Sequence, residues 1–173
     1  HFVGIGGAGM SGIAEVLHEN GFVVSGSDMG ESAVIDYLKN LGIKVFLGHD
    51  AKNVENADLV VYSSAVPHDN PELVEAKNRR IPVIRRAEML GELMRMKYTL
   101  SIAGTHGKTT TTSIVGAIWE QAGLDPTIIV GGVVKGHGSG AKVGKGDYLI
   151  AESDEFDRSF LSMMPSSAII TNI

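Results

Sequence analysis

Twice along this chain an apolar run stops at closely spaced glycines and gives way to apolar residues at helical spacing. The first instance is "HFVGIGGAGMSGIAEVL" (residues 1–17) and the second is "TLSIAGTHGKTTTTSIVGAIW" (residues 99–119). A strand that ends in a glycine turn and feeds a helix is the first half of a strand-helix-strand crossover. Such crossovers build parallel sheets with helices on both faces. The segments between and after the two junctions keep the alternation. "FVVSGSD", "IKVFLG", "ADLVVYSSAV" and "IPVIR" read as strands, with helices over "SAVIDYLKNLG", residues 70–79 and residues 88–96. After "MRMKY" the pattern restarts, and "TIIVGG", "DYLIAES" and "SSAIITNI" follow the second helix as further strands. The expected fold is therefore α/β. A doubly wound parallel-sheet unit over residues 1–96 is followed by a second α/β unit over residues 97–173 with too few elements to cover its sheet. The chain opens at a strand's edge on His1 and ends within a strand at Ile173, which predicts a piece cut at both ends.

Charge narrows the partners. A net charge of -5 and a pI near 5.6 provide no basic field for nucleic acid or an anionic membrane. Any phosphate must therefore be held locally, and 22 glycines, gathered in clusters, supply the turns to do it. The absence of cysteine excludes disulfides and thiolate metal sites and suits the cytoplasm. No apolar run reaches the roughly 18 residues of a membrane span.

Gly4, Gly6 and Gly9 form G-x-G-x-x-G between the first strand and the first helix, where backbone N–H groups meet a pyrophosphate. Asp28, 19 residues beyond Gly9, is placed to take a ribose hydroxyl. These features alone suit a nicotinamide oxidoreductase as well as any other nucleotide binder, and equally a glycine turn needed for packing with Asp28 as a turn residue. The second loop discriminates. Gly104 and Gly107 free the backbone to wrap phosphate oxygens, Lys108 supplies a cation for the β and γ phosphates, and the Thr109 hydroxyl is placed for magnesium. His106 is expected to contribute its backbone N–H, with a catalytic imidazole as the alternative. The usual spacing of such loops would put glycine at 102, where this chain has Ile102. Magnesium needs a carboxylate from a neighbouring strand end. In "YLIAESDEFD", Glu152 ends the strand and leads Asp154, Glu155 and Asp157; a solvated acidic loop is the alternative.

In "HFVGIGGAGMSGIAEVL", "GSD", "SSAVPHDNPE", "RRAEMLGELM", "AGTHGKTTTT", the "GG" at 131–132, "YLIAESDEFDRSFL" and "TNI", the sequence resembles the Mur ligase family over its whole length. The short G-T-H-G-K-T-T loop is that family's form of the phosphate loop. The resemblance implies three domains, of which this chain carries the Rossmann-like, UDP-sugar-binding first (residues 1–96) and the truncated start of the second, a P-loop α/β ATPase domain (residues 97–173), without the C-terminal domain that closes over the nucleotide. It implies ATP-driven, Mg2+-assisted amide formation between UDP-N-acetylmuramate and L-alanine in peptidoglycan synthesis. "GGAGMSGIAE" and "RRAEML" are more similar to the alanine-adding member than to the recycling member that attaches a tripeptide. By matching position, Gly6, Gly7, Ala8, Gly9 and Met10 would face the UDP diphosphate. Asp28, Ser63, Ser64 and Ala65 would lie near the uridine. Gly104, Thr105, His106, Gly107, Lys108, Thr109 and Thr110 would bind ATP, with Lys108 catalytic, and Thr109 and Glu152 would hold the metal. The family's second-metal histidine is expected beyond "TNI". The resemblance further implies a piece that does not ligate by itself.

Overall fold

The computed structural model describes residues 1–7, 9–132, 134, 137–153 and 164–172. The chain divides into two compact units, His1–Arg86 and Ala87–Ile173. In the first, five strands β1 (Phe2–Val3), β2 (Ser25–Asp28), β3 (Lys44–Leu47), β4 (Val60–Tyr62) and β5 (Val83–Arg85) form a parallel sheet in the order β3-β2-β1-β4-β5. Helices α1 (Met10–Glu19), α2 (Ala33–Asn40) and α3 (Pro71–Asn78) connect them. Local chemistry sets their starts. The Ser32 side chain accepts from Ile35 N at the head of α2, and the Asn70 side chain accepts from Glu72 N at the head of α3, where Pro71 fits the first turn. One core cluster joins Val3, Val54, Val60, Leu73 and Ala76. Strand order reverses at β1, so the crevice beside its C-terminal end is where such a sheet binds ligands.

Strand β2 begins later than the apolar run predicts. Phe22 and Val23 are 50% and 101% exposed, and only Ser25–Asp28 pairs with neighbours. Strand β4 is likewise confined to Val60–Tyr62, and a 3-10 turn at Ala51–Val54, capped by the Asp50 side chain, fills the connection before it.

A polar hub lies inside this unit. The carboxylate of Glu72, fully buried on α3, accepts from Ser27 Oγ at 2.6 Å and from Asn53 Nδ2 at 2.6 Å. His49 Nδ1 lies 2.9 Å from one oxygen and His1 Nε2 3.4 Å from the other. Four separate stretches of chain thus meet on one side chain. This is the arrangement that makes a buried carboxylate tolerable.

The second unit carries β6 (Tyr98–Ala103), α5 (Lys108–Gln121), β7 (Thr127–Ile129), β8 (Ala141–Lys142), β9 (Tyr148–Glu152) and β10 (Ser167–Ile170). Helix α4 (Arg86–Met96) begins at the boundary of the units. The sheet order is β10-β6-β9-β7-β8, parallel except for β8, which runs antiparallel to β7 at the edge. Its core gathers Leu100, Ile102, Ile128, Val130 and Ile150, with Val115 and Trp119 of α5 packed on it. Among the described residues no helix is long and apolar enough to cross a membrane.

Candidate functional site

In the first unit the glycine loop leaves β1 and the Ser63–Ala65 turn leaves β4. Val3 and Tyr62 are register partners, so both loops start at the same edge of the sheet. Within the turn, Ala65 N donates to Ser63 Oγ at 3.3 Å and Val66 N to Ser63 O at 3.0 Å. Asp28 ends β2 beside them, and its Oδ2 accepts from Gly6 N at 2.9 Å. The carboxylate expected to meet a ribose thus also fixes the loop. Gly7 N donates to Gly4 O, and Met10 N to Gly7 O at 3.0 Å. The Met10 side chain is fully buried, with its Cγ 3.7 Å from where a β carbon of Gly7 would be. Ala8 lies outside the described residues.

In the second unit the loop between β6 and α5 is shaped by residues far along the chain. Asn172 Oδ1 accepts from Thr105 N at 2.8 Å and from His106 N at 3.2 Å, and Asn172 Nδ2 donates to His106 O at 3.1 Å. Thr171 Oγ1 donates to His106 O at 2.6 Å. Lys108 Nζ folds back onto Gly104 O at 2.6 Å, bringing its charge over the loop. Thr105, His106, Gly107, Thr109 and Thr110 are exposed, and Lys108 is half-buried. Thr109 O accepts from Ser113 Oγ at 2.8 Å within the helix.

Gly104 has no alternative residue. Its φ is +128°, and a β carbon there would collide with Thr171 Oγ1 and stand 3.1 Å from Asn172 N and O. Gly104→Ala is expected to destabilise the second unit by at least about 2 kcal/mol, combining left-handed strain with overpacking. Chemical denaturation checks this, and an unchanged midpoint would show that the loop is shaped otherwise.

Glu152 ends β9, the strand next to β6, in register with Ile102. Its Oε2 accepts from Gly131 N at 3.1 Å, while its Oε1 is buried with no hydrogen-bond partner. A buried carboxylate oxygen without a partner is costly unless a cation meets it. Glu152 and the Thr109 hydroxyl are hard oxygen donors, which fits magnesium. Among the described residues no group of three or more His, Cys, Asp or Glu is placed to hold a metal. The remaining ligands would have to come from a phosphate and water. Asp154, Glu155 and Asp157 lie outside the described residues.

Three residues without a role in the sequence reading stand at these loops. Thr171 and Asn172 bind the second loop, and Arg86 lies over the first, with its Nη1 3.1 Å from where a β carbon of Gly9 would be. The signal for Thr171 and Asn172 was their position at the end of a strand predicted to join the same sheet. Arg86 stands in "RRAEML", one of the stretches that carry the resemblance, with no role attached to it.

A model described as "Mur ligase family, catalytic domain" matches residues 1–98. A relative from Persephonella marina named UDP-N-acetylmuramate--L-alanine ligase is 57% identical over the 173 residues, which are 100% of this chain and 38% of the relative. Among solved structures, UDP-N-acetylmuramate-alanine ligase from Thermotoga maritima superimposes with a TM-score of 0.90 at 37% identity, covering 99% of this chain and 40% of that one. The UDP-N-acetylmuramate:L-alanyl-gamma-D-glutamyl-meso-diaminopimelate ligase from Neisseria meningitides gives a TM-score of 0.87 at 31% identity, covering 99% of this chain and 59% of that one. The chain thus spans well under half the length of the curated relative.

Proposed function

The chain belongs to the Mur ligase family, and from that premise we propose that its full-length protein is an ATP-dependent ligase joining L-alanine to the lactyl carboxylate of UDP-N-acetylmuramate. The reaction serves peptidoglycan precursor synthesis in the cytoplasm. One observation carries most of the support: the Lys108 loop and Glu152 leave adjacent strands of one sheet, and one oxygen of that carboxylate is buried without a hydrogen-bond partner. That is the donor set for a magnesium nucleotide.

In this reading residues 1–96 form the UDP-sugar-binding domain and residues 97–173 the opening of the ATP-binding domain. This division differs from that of the compact units in assigning α4 to the first. Gly6, Gly7, Ala8, Gly9 and Met10 border the diphosphate, and Asp28, Ser63, Ser64 and Ala65 the uridine. Gly104 to Thr110 take the ATP phosphates, and Thr109 with Glu152 hold Mg2+. The lactyl carboxylate attacks the γ phosphorus, ADP leaves, and an acyl phosphate results. The alanine amine then displaces phosphate through a tetrahedral intermediate. Lys108 neutralises charge on the transferring group, and the glycine loop orients it, since positioning and electrostatics carry most of such catalysis. Magnesium, when bound, draws charge from the same phosphoryl oxygens.

In this reading the adenine and amino-acid contacts lie outside residues 1–173, which span 38% of the relative's length, so the 173-residue piece alone is expected not to ligate. The test is phosphate release by the full-length protein with ATP, Mg2+, UDP-N-acetylmuramate and L-alanine. Release that requires all four is expected, with NADH binding absent in a parallel titration. Turnover indifferent to UDP-N-acetylmuramate, or tight binding of NADH in its place, would overturn the reading.

A further inference from the structure

Arg86 is the first residue of α4 and the last of the first unit, at the C-terminal end of β5. Its guanidinium lies against the first glycine loop. A β carbon on Gly9 would stand 3.1 Å from Arg86 Nη1, 3.6 Å from Cδ and 3.7 Å from Cζ. Gly9 has a φ of +73°, a left-handed turn conformation that favours glycine and brings the loop backbone close beneath the arginine. The side chain is half-buried, and among the described residues no hydrogen bond or ion pair to a carboxylate is recorded for it. Asp28, at the end of β2, has one carboxylate oxygen engaged by Gly6 N of the loop.

A guanidinium held over a phosphate-type turn, with a planar fork of donors and no ion pair to a carboxylate among the described residues, suits an anion with several oxygens. We propose that Arg86 is a diphosphate-binding residue of the first site, closing the glycine loop over the two phosphates of a uridine diphosphate nucleotide. The proposal rests on the reading of that site given above and adds a residue which the glycine pattern does not contain. It makes the site select for the diphosphate itself rather than for the nucleoside. An ammonium on a lysine stem, with three donors and no fork, would replace the arginine only in part.

The experiment uses the full-length protein, with UDP and uridine as probes. Calorimetry measures UDP, and ligand-detected NMR measures uridine, for the parent, Arg86→Ala and Arg86→Lys. Arg86→Ala is expected to weaken UDP about 10- to 100-fold, the scale of a lost charge-assisted hydrogen bond, with uridine unchanged and Arg86→Lys between the two. The salt dependence of UDP binding becomes shallower in Arg86→Ala. Equal UDP affinity in parent and Arg86→Ala overturns the assignment while leaving the site reading intact. Equal weakening of UDP and uridine overturns it too, since the residue then acts through the fold. A parent that binds no UDP overturns the site reading, and this inference with it.

Discussion

Replacing Lys108 with alanine in the full-length protein is expected to lower ATP-dependent turnover about 100- to 1,000-fold, the range seen when one preorganised charge-stabilising group is removed from a closed site. Binding of UDP-N-acetylmuramate is expected to stay at the parent level. The asymmetry follows from placement. Lys108 opens α5 in the second unit, and its Nζ is held on Gly104 O at 2.6 Å, within the loop it serves. The glycine turn, Asp28 and the Ser63–Ala65 turn all belong to the first unit. Steady-state phosphate release beside a calorimetric titration separates the two effects. Undiminished turnover in the variant would remove Lys108 from the chemistry. Loss of both activities together would show that the lysine maintains the fold.

Glu72→Ala is expected to destabilise the first unit by about 3 kcal/mol or more, because it strips the acceptor from several buried donors and leaves a void. Ser27, Asn53, His49 and His1 all converge on that carboxylate. Its protonation adds a second handle. Burial pushes the Glu72 pKa up, but hydrogen bonds from His1, Ser27 and Asn53 outweigh it and hold the group below its ordinary 4.5. A carboxyl whose folded pKa lies below the unfolded one adds stability that is fully present above about pH 4.5. That stability is lost as pH falls through the folded value. Urea denaturation across this range is expected to show a steeper acid decline for the parent than for Glu72→Gln, whose amide cannot titrate. Identical slopes would mean that Glu72 does not govern the acid limb.

The α/β class and the parallel sheets were legible because two signals coincided: buried apolar runs of strand length, and glycine junctions feeding helical spacing. Where only one signal was present the reading slipped. Phe22 and Val23 look like strand residues but are exposed, since hydrophobicity alone does not provide a pairing partner. Strand β8 was invisible in a glycine-rich stretch without apolar alternation. At the candidate sites, the residues proposed for local chemistry are named from their order in the chain: Lys108 after its glycines, Glu152 at a strand's end. Arg86 and Asn172 could not be given roles, because each matters through an approach to backbone far away in sequence. Asp28 was assigned one expected partner, and the Gly6 amide it also binds is a contact that only the folded register of β1 and β2 creates.

The hydrogen bonds from Thr105 N and His106 N to Asn172 span 67 and 66 positions of chain. During synthesis the lysine-bearing turn therefore leaves the ribosome long before the side chain that braces it. A nascent chain halted before Thr171 would carry the complete glycine-lysine signature and still lack the brace. The loop thus takes its braced shape only when β10 docks beside β6 and the asparagine reaches its two amides.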